Sequence, residues 1–127
     1  MRIDKFEITY GGYCATNYEL AKHWNKLVFR QWEYSPFEDL PRIVKLTNDQ
    51  WCDLLQQVIT IIKDWNPIYD SDTCDGIQWT LVLNTDTVKY NFYGSNNFPE
   101  NFDMLLLLVR RIEGLEYFAA GHLENDI

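Results

Sequence analysis

The chain has 127 residues, 46% of them hydrophobic and 24% charged, with a formal net charge of −8. That is enough apolar content for one globular domain over residues 1–127 with a core of its own, and it excludes a disordered chain. The acidity, with a pI of about 4.6, repels a phosphate backbone and an anionic membrane surface alike, which argues against nucleic acid or lipid as a direct ligand.

Residues 3–10 alternate, with Phe6, Ile8 and Tyr10 on one face and Ile3 off phase, and they stop at Gly11-Gly12, which predicts a first strand. Two further extended segments, 18–23 and 27–34, fold back on each other around Trp24-Asn25-Lys26 as a hairpin. Pro36 and Pro41 break regularity before a short strand over 42–46, expected at a sheet edge. Thr47-Asn48-Asp49-Gln50 has the form of a capping box, with Thr at the cap and Gln three residues later. It opens a helix whose apolar residues, Trp51, Leu54, Leu55, Val58, Ile61, Ile62 and Trp65, recur at offsets of three and four until Asn66-Pro67. After a polar loop over 70–76, Ile77, Trp79, Leu81 and Leu83 share one strand face. The chain then turns at Thr85-Asp86-Thr87 and returns with Val88, Tyr90 and Phe92 inward. A last helix beginning near Pro99 carries Phe102, Leu105, Leu106, Val109 and Ile112 on its main stripe and ends at Gly114. Met104, Leu107 and Leu108 widen that stripe beyond one face, as burial between layers or a homodimer contact would require. The pattern as a whole predicts an α+β domain: an antiparallel sheet of four to six strands with two helices packed on one face, in the order strands, helix, hairpin, helix.

Few residues suggest chemistry. Cys14, Cys52 and Cys74 are odd in number and form no C-x-x-C pair, so free reduced thiols are expected. Asp70, Asp72 and Asp75 precede Gly76, but the glycine is seventh rather than sixth and Leu81 stands where a calcium loop needs glutamate. His23 and His122 have no ligand partner at metal-binding spacing, although Cys14 and His23 could meet across a hairpin. There is no nucleophile elbow, phosphate loop or dinucleotide fingerprint, so no catalytic residue, metal or cofactor is assigned. Residues 1–4 lack the basic start and apolar core of a secretory leader, so none is expected, and the longest apolar run, 104–109, is far short of the roughly 20 residues of a membrane helix, so a cytoplasmic setting is expected.

The run Asp75-Gly76-Ile77-Gln78-Trp79, followed by Gly94-Ser95-Asn96-Asn97-Phe98-Pro99-Glu100-Asn101-Phe102, resembles the C-terminal module of a family of small uncharacterised bacterial proteins, over about residues 64–110. The resemblance implies a fold and a bacterial or phage source, and no activity. Physically, Gly94 lets the chain leave the strand, Ser95, Asn96 and Asn97 offer side chains to unpaired backbone groups, Pro99 presets helical φ, and Glu100 suits the positive end of the helix. The functional alternative is an anion or a peptide end held at that helix start.

Trp24, Trp32 and Tyr34, with acidic support from Glu33 and Asp39, are the candidate binding residues, because large rings on the N-terminal strands exceed what one face must bury. The expected function is a non-catalytic acidic module that binds another protein, in the manner of immunity or regulatory proteins. The expected partner is a protein, basic if charge complementarity drives the encounter. The alternative is a small-molecule-binding protein or enzyme with a site assembled from dispersed residues, drawing on Cys14, His23 and the aspartates of 70–75. A concave pocket holding titratable groups would separate the two.

Overall fold

The computed structural model describes residues 2–12, 15–33, 40–71 and 76–123. Four strands come first, β1 (Ile3–Gly11), β2 (Asn17–His23), β3 (Lys26–Trp32) and β4 (Arg42–Lys45). Helix α1 (Asn48–Ile62) follows, then β5 (Ile68–Tyr69), β6 (Gln78–Thr85), β7 (Lys89–Ser95) and α2 (Phe102–Arg110). The strands form one sheet in the order β4-β3-β2-β1-β6-β7-β5. The α+β class and element order are as the periodicity predicts. The sheet, however, has seven strands rather than four to six, and it is mixed, because β5 pairs in parallel with β7. Two residues are too few to show alternation, which is why β5 left no trace in the pattern.

One sheet face carries the core. Phe6, Ile8 and Tyr10 of β1, Tyr18 and Leu20 of β2, Leu27 and Phe29 of β3, and Trp79, Leu81 and Leu83 of β6 are all buried there against both helices. Helix α1 begins where the capping box places it. The Thr47 hydroxyl accepts from Gln50 N at 3.2 Å and the Gln50 side chain accepts from Thr47 N at 2.8 Å, so two otherwise orphaned amides are satisfied. Its six buried residues are the predicted stripe, and Trp65, just past the helix end, joins a ring cluster with Trp79, Phe92 and Phe102. At about 1.5–3 kcal/mol per large side chain, burial of this stripe outweighs the modest helix propensity of Val58, Ile61 and Ile62.

Helix α2 differs from expectation at both ends. It starts at Phe102 rather than Pro99, because Pro99 forms a turn in which its carbonyl accepts from Phe102 N at 3.0 Å. It stops at Arg110, and the chain continues through Gly114 (φ +97°) in consecutive tight turns that bury Leu115, Phe118 and Ala119. Of the residues that widen its stripe, Leu108 belongs to the core, whereas Met104 (56% exposed) and Leu107 (49%) face outward. Val88, expected inward, lies in the β6–β7 turn and is exposed. There the Thr85 hydroxyl accepts from Thr87 N and Val88 N.

Candidate functional site

The G-S-N-x-x-P-E-N-F segment is tied into the fold at nearly every position. Asn96, at φ +53°, accepts from Ile77 N through Oδ1 at 2.8 Å while its own amide donates to the Ile77 carbonyl, joining the ends of β6 and β7. Asn97 donates to the Asp70 carbonyl and accepts from Trp79 Nε1 at 2.9 Å through its own carbonyl. Asn101 bridges two elements, accepting from Trp65 Nε1 at 2.6 Å and donating to the Ile61 carbonyl at 2.9 Å. A side chain at Gly94 would collide with Trp79, and one at Gly76 with Asn96. Ser95 and Pro99 are buried, Phe102 is in the core, and Glu100 is exposed. Asp75 lies outside the described residues. The side chains of Asn96, Asn97 and Asn101 are thus engaged in joining β6, β7, α1 and the start of α2.

A second constellation was not legible in the sequence. Tyr10 Oη lies 2.7 Å from His122 Nδ1, and His122 Nε2 lies 3.5 Å from Asp103 Oδ1. With Nε2 protonated toward Asp103, Nδ1 accepts the Tyr10 hydroxyl, an arrangement with the form of a proton relay. The imidazole packs edge-on against Phe98, Phe102 and Tyr10. Its evident work is to fasten the C-terminal turns to the sheet. Arg110 does the same, its guanidinium donating to the carbonyls of Phe118 and Ala119 at 2.8 and 2.9 Å, so this cation has a specific partner beyond the helix dipole.

The aromatic candidates separate. Trp24 forms the β2–β3 turn with Asn25, while Trp32 ends β3, so the two residues lie at opposite ends of that strand, their backbones roughly 26 Å apart at about 3.3 Å per residue. Trp32 is half-buried on the sheet face away from the helices, and Glu33 next to it is exposed. Tyr34 and Asp39 lie outside the described residues, as do Cys14, Asp72 and Cys74. His23 is exposed beside the Trp24 turn. Among the described residues no group of three or more His, Cys, Asp and Glu converges as a metal site. No helix is long and apolar enough to cross a membrane.

Trp24 is the residue the fold does not account for. Its side chain is 81% exposed, and its backbone sits at φ +61°, a left-handed conformation that bulky residues rarely adopt and that glycine or asparagine would occupy at lower cost. The turn beneath it is firmly anchored: the Asn25 carbonyl accepts from Trp51 Nε1 at 3.1 Å and from Leu46 N at 3.3 Å. Beside the indole opens a cleft of about 790 Å³ between the hairpin and the first turns of α1, walled by Trp51 and Leu55 and edged by Lys22, Asn25, Asn48 and Cys52. The Lys22 ammonium stands 5.9 Å from the Trp51 ring centre, in cation–π range. A second groove of about 760 Å³ along β4 is lined by charges of both signs, Arg42, Lys45, Asp53, Arg111 and Glu113 among them. In comparisons with known proteins, no family model matches the chain and no curated protein is similar to it.

Proposed function

We propose that this is a non-catalytic protein-binding module, of an immunity or regulatory kind in a bacterial or phage setting, whose anchor is Trp24 and whose docking cleft is the one beside it. The observation that carries this reading is Trp24 itself, an exposed indole held in an unfavourable backbone conformation on a rigid turn. Local strain of this sort costs on the order of 1–3 kcal/mol and persists where another role selects for it. Tryptophan is also among the residues that dominate binding energy when a partner desolvates them. The adjoining cleft supplies apolar walls with a few polar groups at the rim, as a protein contact requires. The test compares the protein with its Trp24→Ala variant, each immobilised and exposed to native lysate of the source cells. A specific protein held by the first and lost by the second supports the reading, whereas equal retention, or none by either, refutes it.

The second reading, a small-ligand site, draws on the same cleft, whose volume lies in the range of about 300–1,000 Å³ used for such ligands. A ligand that raises the melting temperature of the unaltered protein but not of a Cys52→Trp variant, altered at an exposed position on the cleft rim, would favour it. Homodimerisation through Met104 and Leu107 is compatible with either reading, and these two side chains, exposed beside Ile61 and Thr60 of α1, form the natural contact.

A further inference from the structure

Both helices cover one face of the sheet, and among the described residues no helix covers the opposite face. Strand register places them in rows. Lys45 of β4 lies opposite Lys26 of β3, which lies opposite His23 of β2. Continuing the β1–β2 register by one like-facing step brings His23 beside Lys5, which pairs with Asn84 of β6, and Asn84 pairs with Lys89 of β7. One row thus crosses six strands, roughly 24 Å at about 4.8 Å per strand, and carries four lysines and no carboxylate. Among the described residues none of the four lysines stands within ion-pair distance of an acid, and Asp4, the nearest in sequence, is held by Arg2 Nε at 2.8 Å.

This concentration runs against the net charge of −8. Like charges placed directly opposite on neighbouring strands, as Lys26 and Lys45 are, destabilise a sheet. The free protein therefore carries a repulsion that an anionic partner would relieve. The row behind it is mostly apolar: Ile43 (55% exposed), Val28, Ala21 and Val82, interrupted by Glu7. Trp24 stands at the same end of the sheet, next to His23.

We propose that the lysine row, with the apolar row behind it, is the docking face for an acidic protein segment bearing apolar side chains along one edge. The inference rests on the protein-binding reading above and adds a second contact surface to it: the cleft beside Trp24 lies on the helix side of the sheet, the lysine row on the other side, and Trp24 stands at the end where the two meet. A nucleic acid offers the row phosphates but nothing for Ile43, Val28 and Val82, whereas a protein segment can meet the lysines with acid and this second row with apolar side chains. Charge complementarity confined to the contact is what sets orientation and register in such encounters.

The test uses the full chain and a synthetic peptide that alternates glutamate and leucine, followed by fluorescence anisotropy at low and raised salt. Binding that weakens with salt and falls at least about tenfold in the Lys26→Glu/Lys45→Glu variant supports the proposal. A second variant, Lys5→Gln/Lys89→Gln, guards against misfolding of the first, since these side chains are exposed on other strands, and it should weaken binding as well. No binding of the peptide, or binding that both folded variants retain, overturns the proposal. So does tighter binding of oligothymidylate or of phosphatidylserine vesicles than of the peptide, or self-association of the chain that the Lys26→Glu/Lys45→Glu variant abolishes. If Trp24→Ala leaves peptide binding intact while the lysine variants lose it, the Trp24 anchor fails and the lysine face stands. The reverse result retains the anchor and discards the face.

Discussion

The two ends of the sheet contrast sharply. At one end, where β6 and β7 pass into α2, Asn96, Asn97 and Asn101 all have partners for their side-chain amides, and Gly94 and Gly76 exist because Trp79 and Asn96 occupy the space a Cβ would need. At the other end a tryptophan stands in solvent at positive φ and two lysines face each other across strands. The first end is optimised for folding, whereas the second departs from the stability optimum in two independent ways within a few residues. Natural chains deviate from local consistency mainly where another role selects for the deviation.

Four substitutions probe the contrast. Phe102→Ala, in the ring cluster of the first end, should cost about 3–5 kcal/mol in chemical denaturation and leave a marginal fold. Asn101→Ala should cost about 1–3 kcal/mol, because Trp65 Nε1 and the Ile61 carbonyl both lose their partner. At the second end the sign reverses: Trp24→Gly should stabilise the fold by about 1 kcal/mol, seen as a raised melting temperature, while lysate retention is lost. A destabilised Trp24→Gly protein would show that the indole supports the fold, and the contrast would collapse. The smallest effect lies at Glu116, whose carboxylate is held below the ordinary glutamate range by hydrogen bonds from its own backbone amide and from Gly114 N. A depressed acid stabilises the fold at neutral pH and ceases to do so as pH falls through and below that range. The stability difference between the protein and Glu116→Gln should therefore be small at pH 7 and vanish in acid.

What could be read in the sequence was whatever repeats locally. The α1 stripe, its capping box, and the inward phase of Phe6-Ile8-Tyr10 and Trp79-Leu81-Leu83 all express a period of 3.6 or 2 within one segment. That Asn96 and Asn97 offer their side chains to backbone groups was readable from residue chemistry, though not that Ile77 and Asp70 are the partners. The C-terminal turns escaped notice because Leu115, Phe118 and Ala119 follow no regular period, and the Tyr10–His122–Asp103 cluster because its members are brought together only by the fold. The lysine row joins residues between positions 5 and 89 and depends wholly on strand order, which composition cannot supply. Net charge alone pointed toward a basic partner, while register points to acid at this one face. Trp24 was visible as a residue type, but its isolation from Trp32 follows from the length of β3.

The doubly bonded carbonyl of Asn25 has a kinetic consequence. Because Trp51 Nε1 and Leu46 N both hold it, the turn that presents the indole is already ordered before any encounter, and docking loses little conformational entropy there. A partner would meet one backbone geometry at the turn that carries the anchor. Changes in the indole itself should then be felt mainly in how long a complex lasts, whereas changes in the lysines should be felt in how quickly it forms.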